Sequence, residues 1–219
     1  MRSKQSIDHT RGPLITAAAY ALLAIGVLAL AGARAARGQD APMRADAPEA
    51  APSTETIRRT LVAVAIPELK MVRQDGTLVS LDKELNDGRP VVLNFVYTTC
   101  TTICPISSQE FSVLQERLGK DRERVHLVSI SIDPEQDTPA RLRDYARHFR
   151  AGKDWDYYTS DAAESVKAQL AFGAYRGDKM SHIPLTLLRT APGNQWVRLD
   201  GFATAEQMYA ELHGLLASR

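Results

Sequence analysis

Hydrophobic and polar positions change period several times along this chain, and each change marks an element. In "LKMVRQDGTLVSL" they alternate on either side of Asp75-Gly76, a dipeptide that accepts the positive φ angles of tight turns, which predicts a β-hairpin. "RPVVLNFVYTT" follows as an unbroken, β-branched apolar run, the pattern of a central strand covered on both faces. Past Cys104 the period lengthens. Phe111, Leu114 and Leu118 recur at helical spacing up to Gly119, and Pro105 suits a first helical turn. "RVHLVSISID" reads as a second buried strand, "TPARLRDYARHF" as a helix opened by Thr138 and Pro139, and "AAESVKAQLAFGAY" as a helix behind Asp161. "IPLTLLRT" and "QWVRLDGF", joined by "APGN", predict an antiparallel pair, and "TAEQMYAELHGLLAS" an amphipathic closing helix.

That order predicts a sheet with a parallel βαβ core followed by a hairpin and a helix. It is the order of an α/β thioredoxin-like fold with an N-terminal β-hairpin extension and a helical insertion. Residues 57–219 are assigned to this domain, about 160 residues, enough for one sizeable core.

The chain before it is different in kind. Arg2, Lys4 and Arg11 lie in an N-terminal stretch, 1–13, that is expected to be cytoplasmic. They precede the uncharged run Leu14 to Ala33, which as a helix would be about 30 Å long, enough to span a hydrocarbon core. The preceding cations favour a single-pass anchor in a bacterial inner membrane with the domain in the periplasm. The small-residue pattern Ala33-Arg34-Ala35 supports the alternative of a cleaved signal segment and a soluble periplasmic domain. Residues 34–56, rich in Ala and Pro without apolar periodicity, read as a flexible linker. The 27 basic and 26 acidic side chains nearly cancel, so nucleic acid is not an expected partner.

Export places the two cysteines, Cys100 and Cys104, in an oxidising compartment. They sit between a predicted strand and a predicted helix, where backbone N–H groups and the helix dipole stabilise a thiolate. Their spacing brings both sulfurs toward one face, within reach of a disulfide or of one shared ion. Two soft thiolates suit Cu(I), zinc or iron–sulfur, and they leave tetrahedral zinc short of ligands. Among the five histidines, His9 precedes the apolar run, and His126, His148 and His213 fall in a strand and two helices. His182, at the entrance of the late strand, is the candidate third ligand, with backbone bonding as its alternative role. Met180 could add a thioether but is better explained by packing. Pro184 would lie beside the cysteines in a thioredoxin-like fold.

The stretches "FVYTTCTTICP", "SISIDPEQDTP" and "MSHIPLTLL" resemble the Sco/SenC family, over about Ile66 to Leu216. The resemblance implies a thioredoxin-like domain anchored facing the periplasm, with copper held by Cys100, Cys104 and His182. It implies assembly of the Cu(A) centre of cytochrome c oxidase subunit II, either by delivery of copper, as Cu(I) or as Cu(II) with an extra ligand, or by reduction of that subunit's or other exported cysteines, by a chain that itself needs a copper donor or a reductant. Asp133, in the family's Asp-Pro pair, is expected to order the site from behind the ligands. Two departures stand out. Thr101 occupies the place of the family's usual proline, and Ile183-Pro184 after the histidine is closer to thioredoxin-like reductases.

Two functions follow. A metallochaperone would pass copper by ligand exchange, while a thiol–disulfide oxidoreductase would use Cys100 and Cys104 as a redox pair. A merely structural disulfide is a third reading, weakened because so short a loop removes little unfolded-state entropy.

Overall fold

The computed structural model describes residues 57–217. Its centre is three parallel strands, β4 (Val91–Val96), β5 (His126–Ser131) and β6 (Trp155–Thr159). β7 (Leu185–Arg189) runs antiparallel to β4, β8 (Trp196–Asp200) to β7, and β1 (Arg58–Val62) to β8. Beyond β6, β2 (Lys70–Arg73) and β3 (Leu78–Ser80) complete an eight-stranded sheet of order β1-β8-β7-β4-β5-β6-β2-β3 among the described residues.

Every position of β4 and β5 is buried. Both faces are covered, which is why their sequences run apolar instead of alternating. Register places Phe95, Ile130 and Tyr158 side by side on one face, and Asn94, Ser129 and Tyr157 on the other. α2 (Ile103–Leu118) and α3 (Pro139–His148) cover the second face through Phe111 on Trp155 and Tyr145 on Tyr157. α5 (Ala205–Ala217) packs beside α2. On the first face, Phe172 at the end of α4 (Ala162–Ala171) meets Phe95, and α1 (Leu81–Leu85) brings Glu84 to the Tyr158 hydroxyl. Inside the sheet, Ser129 Oγ donates to Asn94 Oδ1 at 2.7 Å and accepts from Trp155 Nε1 at 3.0 Å, while the buried Asn94 Nδ2 finds no partner among the described residues.

The expected hairpin forms around Gly76, whose φ of +90° requires glycine-like freedom, with Thr77 N–H on Asp75 Oδ1. The insertion is not purely helical as expected: β6 lies between α3 and α4, and the hairpin pairs with it through β2. Asp154 precedes β6 and Asp156 interrupts its apolar pattern, so its strand character is visible only in Trp155, Tyr157 and Tyr158. Asp156 is accommodated because Gln74 Nε2 donates to it at 3.1 Å and His126 Nε2 lies 3.1 Å away. The strand β1 was also not foreseen. The expected anchor at 14–33 and linker at 34–56 lie outside the described residues. Among those described, no helix is long and apolar enough to cross a membrane.

Candidate functional site

β4 delivers the chain to the C-terminal end of the parallel strands, and the loop 97–102 carries it into α2. Cys100 lies two residues before the helix N-cap, Thr102, and Cys104 in the first turn. The Cys104 N–H donates to Cys100 Sγ at 3.4 Å, the Cys100 N–H to the Tyr97 carbonyl at 3.1 Å, and Thr102 Oγ1 is 3.8 Å from Cys100 Sγ. Both thiols are free and buried. Burial pushes the Cys100 thiol up, but the N–H groups of Cys104 and Thr102 and the side chains of Cys104 and Tyr97 outweigh it, leaving its pKa lowered to about 7. Cys104 moves the other way, raised chiefly by burial, with Cys100 and Asp137 adding negative charge beside it. One sulfur is ready to ionise near neutrality and its neighbour is held protonated.

The loop is held from below. Asp137, completely buried, accepts from the Thr98 N–H at 3.1 Å, from Thr98 Oγ1 at 2.5 Å and from Ser131 Oγ at 2.6 Å. Burial raises its pKa despite these donors, and Asp133 adds to the rise. The Tyr97 phenol is likewise raised, first by burial and then by Cys100.

His182 follows a single 3₁₀ turn, Lys179–Ser181, and lies three residues before β7. Its Nε2 lies 3.2 Å from the carbonyl of Phe95, at the same sheet end as the cysteine loop. A carbonyl only accepts, so Nε2 carries the proton and Nδ1 keeps a lone pair. Burial lowers the His182 pKa, with the Phe95 carbonyl partly opposing it, so the ring is neutral at pH 7. Asp133 lies two residues beyond the end of β5 and pairs with Lys179 Nζ at 2.6 Å. Met180 is 73% exposed and its Sδ is 3.8 Å from the Tyr97 hydroxyl. The Pro184 carbonyl accepts from Gly201 N–H at 3.0 Å, and Thr101 is exposed.

The structure therefore joins Cys100 to Cys104 and brings His182 to their end of the sheet. It does not gather the three: among the described residues, no cluster of three or more His, Cys, Asp or Glu side chains is arranged to hold a metal ion. The other described histidines lie elsewhere. His126 is buried against Asp156, His148 stacks edge-on to Phe149, and the His213 ring meets Tyr209. Thr98, Asp137, Tyr97 and Lys179 were not foreseen as parts of the site. Asp137 hides in a turn sequence whose obvious reading is helix initiation, which Thr138 performs by accepting from the Arg141 N–H.

A protein-family model described as SCO1/SenC matches residues 62–217. Among curated proteins, the SCO1 protein homolog of Bacillus subtilis is 34% identical over 95 residues, 43% of this chain and 48% of that one. A SCO2-like protein of Rickettsia conorii is 33% identical over 82 residues, 37% and 39% of the two chains. The matches thus span less than half the length of these curated relatives. Among solved structures, copper-bound ScoI of Bradyrhizobium japonicum aligns with a TM-score of 0.57 and 30% identity over 67% of this chain and 96% of that one. BsSco, a Sco-family protein in which a disulfide switch is described, aligns with a TM-score of 0.61 over 73% and 98%. At 24% identity, BsSco is a likeness of fold.

Proposed function

The chain belongs to the SCO1/SenC family, and on that footing we propose that it is an exported copper metallochaperone that holds its cargo through Cys100, Cys104 and His182. The observation that carries this reading is the pairing of an acidified Cys100, just ahead of α2, with Cys104 in the first turn of that helix, at the sheet end where neutral His182 is fixed by Phe95 O. Two sulfurs and one imidazole are a soft donor set suited to Cu(I), and Cu(II) would need a further ligand. The Phe95 carbonyl gives His182 the partner that metal-binding imidazoles usually have on their other nitrogen. The copper-bound ScoI relative supports the choice of metal.

As cargo, Cu(I) would be taken first by the Cys100 thiolate, and the Cys104 proton leaves as the second sulfur binds. His182 then completes three-coordination. Release needs only stepwise ligand exchange with soft ligands of an acceptor, for which the Cu(A) domain of cytochrome c oxidase subunit II is the proposed recipient. A membrane-anchored periplasmic placement belongs to the same proposal.

The difference between the two thiols favours a second reading, thiol–disulfide reduction. The Cys100 thiolate attacks a partner disulfide, one S–S bond breaks as the mixed disulfide forms, and a partner thiolate leaves. Cys104 then loses its proton and displaces the partner's second thiolate, leaving a Cys100–Cys104 disulfide and a reduced partner. An exported thiol reductant must return two electrons.

Mixing the Cu(I)-loaded chain with the reduced Cu(A) domain, and the copper-free reduced chain with the oxidised domain, decides between them. The chaperone reading expects copper in the acceptor, with loading reduced in His182→Ala. Copper that stays behind, together with reduction of the oxidised acceptor unaffected by His182→Ala, would leave the reductase reading alone.

A further inference from the structure

Asp133 and Asp137 bracket one turn, and each reaches a different part of the site. The Asp137 N–H donates to the Asp133 carbonyl at 2.8 Å. Ser131 Oγ links them again, accepting from the Asp133 N–H at 3.0 Å and donating to Asp137 Oδ2 at 2.6 Å. Asp137 grips the cysteine loop at Thr98, while Asp133 grips Lys179, three residues before His182.

The segment that carries His182 has few other attachments. Between the buried anchors Ala174 and Leu185 most of its side chains are exposed, and it borders a cleft of about 450 Å³ whose walls include Ile132, Val166, Gln169 and Tyr175. Its own bonds, Ser181 N–H to the Asp178 carbonyl and His182 N–H to the Lys179 carbonyl, shape the turn without fixing it to the sheet. At its ends the Tyr175 N–H donates to the Gln169 carbonyl at 3.3 Å and the Pro184 carbonyl accepts from the Gly201 N–H at 3.0 Å; around the 3₁₀ turn itself the side-chain ties are the Lys179–Asp133 pair at 2.6 Å, the His182–Phe95 bond at 3.2 Å and the long Tyr97–Met180 contact at 3.8 Å. Asp133 is almost fully buried while Lys179 is 35% exposed, and with a charge on each partner this bond is the strongest of the three side-chain ties.

We propose that Lys179 is a positioning residue whose ion pair with Asp133, continued through Ser131 and Asp137 to Thr98, clamps the His182 segment and the cysteine loop in a common register. Lys179 does not touch the ion; it acts through His182. What the clamp serves rests on the copper reading above, whereas its existence rests on the contacts alone.

The test uses the full chain, solubilised and reduced, as wild type, Lys179→Ala, Lys179→Arg, His182→Ala and the Lys179→Ala/His182→Ala double variant. Without copper, hydrogen exchange of the His182 amide is measured. With Cu(I), affinity is measured against a competing chelator. Lys179→Ala is expected to accelerate exchange at His182 and to weaken Cu(I) binding about tenfold, the usual scale for residues supporting a metal ligand. Lys179→Arg restores both. In the double variant, Lys179→Ala adds no loss to that of His182→Ala. Unchanged exchange at His182 in Lys179→Ala, or losses that simply add, would overturn the clamp. Cu(I) binding indifferent to His182→Ala in the native background would sink the copper reading, and the exchange measurement would still decide the clamp.

Discussion

Cys100 is predicted to titrate near neutrality because it accepts from the Thr102 and Cys104 N–H groups at the start of α2, and the consequence can be followed in its reactivity. With a pKa of about 7, half of Cys100 is thiolate at pH 7, against about 1% for a thiol at the ordinary value of 9.0, a gain of about fiftyfold. A more acidic thiolate is a weaker nucleophile. With a Brønsted coefficient of about 0.45, a change of about two units costs roughly eightfold, leaving a net advantage of about sixfold at pH 7. Burial of the sulfur slows every rate by a common factor, so the shape of the profile is the test. Reduced protein is alkylated with iodoacetamide from pH 5 to 10, and the two cysteines are separated by peptide mass spectrometry. The Cys100 rate should rise to a midpoint near pH 7 and flatten above pH 8, while Cys104 stays unreactive across the range where Cys100 saturates. A Cys100 midpoint at 8.5 or higher would refute the claim that the helix N-terminus and its N–H donors stabilise this thiolate.

Three further outcomes follow from the same geometry. Binding Cu(I) at pH 7 should release about 1.5 protons, one from Cys104 and half from Cys100 with none from neutral His182, falling to about one at pH 8.5; calorimetry in buffers of different ionisation enthalpy reads this directly. Asp137→Asn should destabilise the fold by about 1–3 kcal/mol in urea unfolding, because an amide cannot accept from Thr98 and Ser131 as the carboxylate does. The same substitution removes negative charge beside Cys104, so the onset of Cys104 alkylation should move to lower pH.

What was legible in the sequence was local. The run ending in Cys100, the helical period after Cys104 and the late strand behind His182 each follow from a pattern within about a dozen residues, and together they placed the cysteines and His182 at one sheet end. Contacts closed by the fold left no such trace. Asp137 meets Thr98 across 39 residues, and Lys179 meets Asp133 across 46. Neither pairing has a periodicity, because each depends on which strands lie side by side. β6 escaped for another reason: Asp154 and Asp156 read as breakers, yet Asp156 is paired with Gln74 and His126 and so tolerated inside the sheet. β1, with Arg58, Arg59 and Thr60 in a five-residue edge strand, carries too little apolar signal for its alternation to be read.

The central claim is that three side chains from two separate segments hold one copper ion. Anaerobic titration of Cu(I) into the reduced chain against a competing chelator tests it, with Cys100→Ser, Cys104→Ser and His182→Ala run alongside. The account predicts tight one-to-one binding in the wild type, weakened in each of the three variants. Binding as tight in His182→Ala as in the wild type, or surviving the loss of either cysteine, would contradict it.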